Sequence, residues 1–296
     1  MSDFNYPLKY DYKIYTNDFI EKLPDYATTS LRTLYANSTS PVIKPNFDTS
    51  NITDMYRMFF GCQNLTTIPH FDTSNVTNME GMFYTCGMLK FVPHFDTSNV
   101  TKMGSMFYSC SNVLTTPHFD TSKVTSMASM FYGCNKLKCV PHFDTSSVTE
   151  MANMFYNCQN LATIPEFDTS KAINMNSMFT GCSKLVAIPQ LDGSSITSTN
   201  NAGIIGYNNI SSVTKFDGFI NLGKSFPAAT STTLQNLFDR LPNLSKESLL
   251  KCLNGLYDRA AAGYTGIITL KMNAAHLSLL TDEEKAIATN KGWILS

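Results

Sequence analysis

The sequence predicts an α/β repeat solenoid of 24-residue coils, each a short strand, a turn and a short helix, capped at both ends. Three observations carry this. The tetrapeptide Phe-Asp-Thr-Ser begins at Phe47, Phe71, Phe95, Phe119, Phe143 and Phe167, always 24 residues apart, and Leu191-Asp192 opens a decayed seventh copy. Methionines keep the same step at two positions, from Met55 and Met58 through to Met175 and Met178, which takes up 12 of the 15 in the chain. A proline closes each unit, at Pro69, Pro93, Pro117, Pro141, Pro165 and Pro189.

Residues 1–46 are expected to be an N-terminal segment and a degenerate capping coil. Moving the ladder back by one unit places Leu31, Leu34 and Tyr35 where Met55, Met58 and Phe59 stand, and Pro45 where Pro69 stands. Residues 47–195 hold the regular repeats. Within the first unit Ile52, Met55, Phe59 and Cys62 recur at steps of three and four, the period of a short helix with one buried face. Gly61-Cys62-Gln63-Asn64 stops it, and Leu65 to Ile68 reads as a brief extended stretch ended by proline. Asp72-Thr73-Ser74 is turn chemistry, because an aspartate side chain accepts from the backbone two residues on. The expected core is therefore Met58, Phe59 and Cys62 with their equivalents Met82, Phe83, Cys86, Met106, Phe107, Cys110, Met130, Phe131, Cys134, Met154, Phe155 and Cys158. So small a coil cannot bury its apolar face alone and must stack on its neighbours.

After Asp192 the ladder fails, with Thr199, Ala202 and Gly203 at the methionine and phenylalanine positions. Residues 196–296 read as an α/β cap that continues the stack in larger coils. Ser245 through Tyr257 places Leu249, Leu250, Leu253, Leu256 and Tyr257 on one helical face behind a serine N-cap. Residues 267–272 read as a strand, Thr281 to Glu284 as a capping box opening a helix over 282–290, and Trp293 to Leu295 as a last strand.

Charge is sparse: 15% of residues are charged and the net value is −1, so neither a polyanion nor an acidic membrane is expected as a partner. No transmembrane segment and no signal peptide is read, so direct membrane insertion is not expected. The cysteine ladder stacks at about 4.8 Å per coil, within reach of disulfide geometry. Each cysteine nevertheless lies on the buried face, where a thiol serves as a small apolar filler. No CxxC pair suggests zinc.

Two ladders qualify as candidate sites. His70, His94, His118 and His142 are each followed two residues later by an aspartate, so both side chains share one face of an extended stretch. Such a stripe suits a metal or a pH-sensitive edge, or a solvated rim repeated by duplication; the aspartates invite a cation on the same reasoning. Phe60, Tyr84, Tyr108, Tyr132 and Tyr156 directly follow the buried phenylalanine and are turned towards the surface. They suit either a binding stripe or a shield over the seam between coils.

The unit Phe-Asp-Thr-Ser-Asn-Val-Thr-Asn-Met-Glu-Gly-Met-Phe-Tyr-Thr-Cys, starting at Phe71, closely resembles the BspA-type leucine-rich repeat in its D-T-S-x-V-T-x-M-x-x-M-F-x-x-C variant, over about residues 47–194. The segment from Phe216 and the last 17 residues are similar to the C-terminal cap of such proteins in gut Bacteroidetes and their phages. The resemblance implies a curved parallel solenoid, adhesion or surface recognition, and no catalytic residues. No nucleophile-and-base pair or glycine-rich phosphate loop breaks the repeat, so no enzyme and no cofactor is expected. Ice binding is disfavoured because lysine at Lys123 and Lys171 interrupts the threonine rows. The leading expectation is a phage virion structural or host-binding component, with an exported bacterial adhesin as the alternative. The expected partners are a protein or glycan on a host or cell surface and other virion proteins, not nucleic acid; the expected location is the virion or the cell surface.

Overall fold

The computed structural model describes residues 29–43, 47–197, 211–226, 232–234, 238 and 241–296. Pro45, Thr199, Ala202, Gly203 and the first 28 residues lie outside the described residues. The molecule is a repeat protein whose 24-residue units lie one upon the next in parallel register. Isolated parallel bridges run Ser30 to Asp54 to Asn78 to Lys102 to Ser126 to Glu150 to Asn174, one per unit.

The helix expected around Met55 to Cys62 is not formed. Its apolar spacing is obeyed, since Met55, Met58, Phe59 and Cys62 are all fully buried, but the backbone is a ribbon of consecutive turns. Arg57 and Gly61 have φ of 51° and 74°, and the same two rows continue through Gly81, Thr85, Ser105, Ser109, Ser129, Gly133, Asn153, Asn157, Ser177 and Gly181. A left-handed residue every fourth position cannot propagate a right-handed helix. The hydrogen bonds show what replaces it. The N–H groups of Met58, Phe60 and Cys62 fold back on the carbonyls of Met55, Arg57 and Phe59 at 3.2, 3.0 and 3.2 Å. The alternating N–H groups, of Met55, Arg57, Phe59 and Gly61, leave the unit and donate to Asn78, Glu80, Met82 and Tyr84 of the next one at 2.9, 3.0, 2.9 and 2.8 Å. Half of the ribbon's donors are thus satisfied only by a neighbour, which a helix would have kept for itself.

The opposite side of each unit is also reduced relative to expectation. Along the stretch after Leu65, the regular pairing among the described residues is a bridge from Val42 to Thr67 and the two-residue strands β1 (Ala187–Ile188) and β2 (Leu191–Asp192). The proline closing each unit supplies no N–H, which shortens the ladder there.

Between the two sides lies one apolar interior. Phe59, Phe83, Phe107, Phe131, Phe155 and Phe179 form a continuous column, neighbouring rings 5.4 to 6.0 Å apart and nearly parallel. Phe71, Phe95, Phe119, Phe143 and Phe167 pack beside it at 5.9 to 6.3 Å. Tyr35 stacks on Phe59 at 5.5 Å, so the preceding unit shares this interior. The buried cysteines do more than fill space. The thiol of Cys86 donates to the carbonyl of Phe59 at 3.1 Å, and Cys110, Cys134, Cys158 and Cys182 repeat the contact one unit on each time. Burial pushes these thiols up, Cys110 and Cys182 to about 12.

Past the regular units the parallel pairing goes on at longer steps. β3 (Lys215–Phe216) pairs with β1, β4 (Phe219–Ile220) with β2, and Leu222 bridges to Leu256. A three-stranded parallel sheet then joins β5 (Thr232–Leu234), β6 (Ile268–Leu270) and β7 (Trp293–Leu295). Helix α1 (Lys246–Asn254) starts at the expected Ser245 cap but stops before Tyr257. At Gly255 the chain passes too close to the Phe219 carbonyl for any Cβ. Helix α2 (Ala274–Leu279), capped by Asn273, has no counterpart in the sequence reading. Helix α3 (Asp282–Asn290) opens on the expected reciprocal capping box of Thr281 and Glu284.

Two substitutions test this architecture. Phe107→Ala opens the middle of the ring column and is expected to cost about 3–5 kcal/mol in urea unfolding. Ser129, at φ 56°, should tolerate glycine without loss, whereas Ser129→Val should cost at least about 1–2 kcal/mol, because a β-branched residue is strained in the left-handed region. A helical unit would reverse that order.

Candidate binding surfaces

The outward groups follow from the same register. Phe60, Tyr84, Tyr108, Tyr132 and Tyr156 are half-buried and form a second aromatic column on the ribbon side. Their ring centroids are 5.1, 4.3, 4.4 and 4.5 Å apart in order, and the tyrosine rings lie within 6° of parallel. Rings this close use both faces on each other, so a partner meets edges and phenol groups rather than stacking platforms. Burial pushes the Tyr108 phenol up, with the Tyr84 and Tyr132 phenols adding to it. Near the Phe60 end Arg57 flanks the column, its guanidinium 5.1 Å from the Phe60 centroid and 5.6 Å from that of Tyr84. At the other end Thr180, fully buried, takes the aromatic position.

The histidine ladder lies on the edge formed by the extended stretch. His70, His94, His118 and His142 are exposed, as are Asp72, Asp96, Asp120 and Asp144 two residues on. No group of three or more His, Cys, Asp or Glu side chains placed to hold a metal occurs among the described residues. The aspartates are engaged locally: one carboxylate oxygen of Asp96 accepts from the N–H and hydroxyl of Ser98 at 3.0 and 2.7 Å, and Asp72, Asp120 and Asp144 do the same with Ser74, Ser122 and Ser146. The serine hydroxyl, then the backbone N–H, hold these carboxyls below their usual range. The intervening threonines point inward, and two of them join units: Thr97 and Thr121 donate to the carbonyls of Asp120 and Asp144 at 2.9 and 2.8 Å.

Sequence reasoning missed a third feature. Where the short units give way to long ones, an open cleft of about 900 Å³ is lined by Glu166, Gln190, Asp217, Asn221, Lys251 and Lys291, with Phe219 and Tyr257 as its apolar part. Glu166 and Gln190 occupy the histidine row, so the cleft continues that edge. Lys251 is held between Asp217 and Glu247 at 3.0 and 2.9 Å. Lys291 donates to the carbonyls of Asn254 and Leu256 at 2.6 and 3.0 Å, and burial lowers its pKa. No periodic signal could have found this cleft, because the long coils that close it differ in length.

A family model described as Mycoplasma protein of unknown function, DUF285, matches residues 29–139, 111–205 and 138–232 in three overlapping copies. No curated protein and no solved structure matches the chain. Among the described residues no helix is long and apolar enough to cross a membrane.

The carboxylate ladder carries a pH prediction. Because the folded pKa of these aspartates is lowered, their stabilisation is complete above the unfolded value of about 4 and is lost as pH falls through the folded value. The urea midpoint should therefore drop in acid. Joint Asp96→Asn, Asp120→Asn and Asp144→Asn substitution should flatten that drop while leaving the midpoint at neutral pH lower than in the parent.

Proposed function

Since the chain belongs to the DUF285 family, we propose that it is a BspA-type solenoid that acts by binding, presenting a recognition surface to a protein or glycan on a cell, and that it has no catalytic role. The observation that carries this reading is the regular recurrence of identical outward groups on a frame tied unit to unit. Phenol edges and imidazoles each recur in four successive units and carboxylates in six, on a frame tied unit to unit by backbone, thiol and hydroxyl bonds. Such a frame offers many equivalent weak contacts in fixed register. A polymeric or densely displayed ligand gains from that through multivalency, without any single deep pocket.

Two settings fit such a surface. In the first the chain is a virion component, host-binding or structural, released when the host lyses. Cys86, Cys110, Cys134, Cys158, Cys182 and Cys252 and the exposed Cys139 are free thiols, which suits assembly in a reducing cytoplasm. In the second it is a bacterial surface adhesin, a reading favoured by the family description, which names a bacterial genus.

Purified full-length chain should be retained saturably on bacterial or host envelope fractions, and retention should weaken steeply when the repeat array is shortened by two whole units. Antibody labelling of purified virions or of intact bacterial cells then separates the two settings. A chain that binds no envelope fraction, or binds equally well after shortening, would sink the multivalent reading.

A further inference from the structure

Between the buried cysteine and the extended stretch of each unit, six five-residue segments hold the same place: 63–67, 87–91, 111–115, 135–139, 159–163 and 183–187. The middle residue of each points into the core, as Leu89, Leu137 and Leu185 do, and its neighbours face outward. These segments contain four lysines, Lys90, Lys136, Lys138 and Lys184, and no aspartate or glutamate. All four lysines are exposed, and none forms an ion pair among the described residues. Lys215, in register with Ala187 at the last place of the segment, adjoins this face but is paired with Asp217 at 3.4 Å.

Two of the four lysines are ordered without being neutralised. The ammonium of Lys136 donates to the Asn112 side-chain oxygen at 2.7 Å, and that of Lys184 to Asn160 at 2.6 Å, each partner lying one unit back. Holding a lysine side chain through an uncharged amide fixes its position, lowers the entropy lost on binding and leaves its charge unspent. The same face exposes Phe91 at 68% and Met88 at 46%, beside Lys90. The repeated aspartates, two residues past the histidine row, all lie outside these segments.

We propose that this face docks an acidic polysaccharide, a glycan chain bearing carboxylate or sulfate groups. The inference rests on the reading of the protein as a recognition surface and names the ligand class for one face of it. Lys90 and Lys138 are two units apart, as are Lys136 and Lys184, which spaces each pair by about 10 Å along the stack. A linear polysaccharide with one anionic group per disaccharide repeats its charge at a comparable interval, and the apolar face of a sugar ring fits over the exposed Phe91 ring. Nucleic acid fits less well. Single strands are held by recurring aromatic platforms, whereas Phe91 is alone in its row and the rings of the ribbon column are stacked on each other.

The test uses the full-length chain with polygalacturonate, dextran sulfate and uncharged dextran as probes, at low and high salt. Retention on the two anionic polymers, absent on uncharged dextran and lost at high salt, is expected. Joint Lys90→Gln, Lys136→Gln, Lys138→Gln and Lys184→Gln substitution should weaken it by at least about tenfold. An equal change in charge at Lys102, Lys123, Lys171 and Lys224 should weaken it by less than about threefold, since charge at a distance is largely screened. Equal loss in both variants overturns the proposal, as does equal binding to uncharged dextran or tighter capture of single-stranded DNA or phosphatidylserine vesicles. Envelope retention separates this failure from failure of the broader reading. A quadruple variant that still binds envelopes like the parent refutes this face while leaving recognition intact, whereas a parent chain that binds polygalacturonate but no envelope refutes the broader reading.

Discussion

Everything in this molecule depends on the backbone bonds that leave one unit for the next. On the ribbon side, every second N–H between Met55 and Gly61 finds its acceptor 23 residues further along the chain. A buried peptide group without a partner is costly, so an isolated unit is unstable and only the array satisfies the main chain. The same dependence applies to the side chains. The Cys86 thiol reaches back to Phe59, the Thr97 hydroxyl reaches forward to Asp120, and the phenylalanine rings of adjacent units share faces. Stability is therefore built from interfaces between neighbours, as in other quasi-one-dimensional repeat proteins.

The surface inherits its order from that interior. A unit cannot rotate or slip without breaking its ladder, so any side chain that faces outward once does so in every unit at one spacing. This turns chemically ordinary residues into rows. It also constrains them: the tyrosines are pressed together until their ring faces are unavailable, and the aspartates spend an oxygen on the serine two residues on. Rows held this way are pre-ordered, and a ligand of matching period loses less entropy in meeting them.

Net charge is a poor guide to such a surface. A value of −1 argues against an acidic partner only if charges are mixed on every face. Here position within the repeat sorts them: the aspartate recurs at one place in every regular unit, and the four lysines fall at two other places. The aspartates fill one corner of the repeat, while Lys90, Lys136, Lys138 and Lys184 lie in segments free of acidic residues. Whole-chain averages hide this segregation; the position within the repeat reveals it.

Repeat length, register, the inward set of Met, Phe, Cys and Leu, and the capping of α1 and α3 were legible from the residues alone, because burial depends on which positions recur and capping on local side chains. The backbone that delivers those positions was not legible from apolar spacing. Steps of three and four describe a helix and a ribbon of turns equally well at the level of burial, and the distinguishing signal was the small or flexible residues at Gly81, Ser105, Ser129 and Asn153, which tolerate left-handed geometry. Their conformation is imposed by the need to aim alternate N–H groups at the next unit, a demand that exists only once units are stacked. The cleft beside Asp217, Lys251 and Lys291 belongs wholly to the tertiary structure. It forms where coils of unequal length meet, and no periodic pattern records which irregular loops close over which side chains.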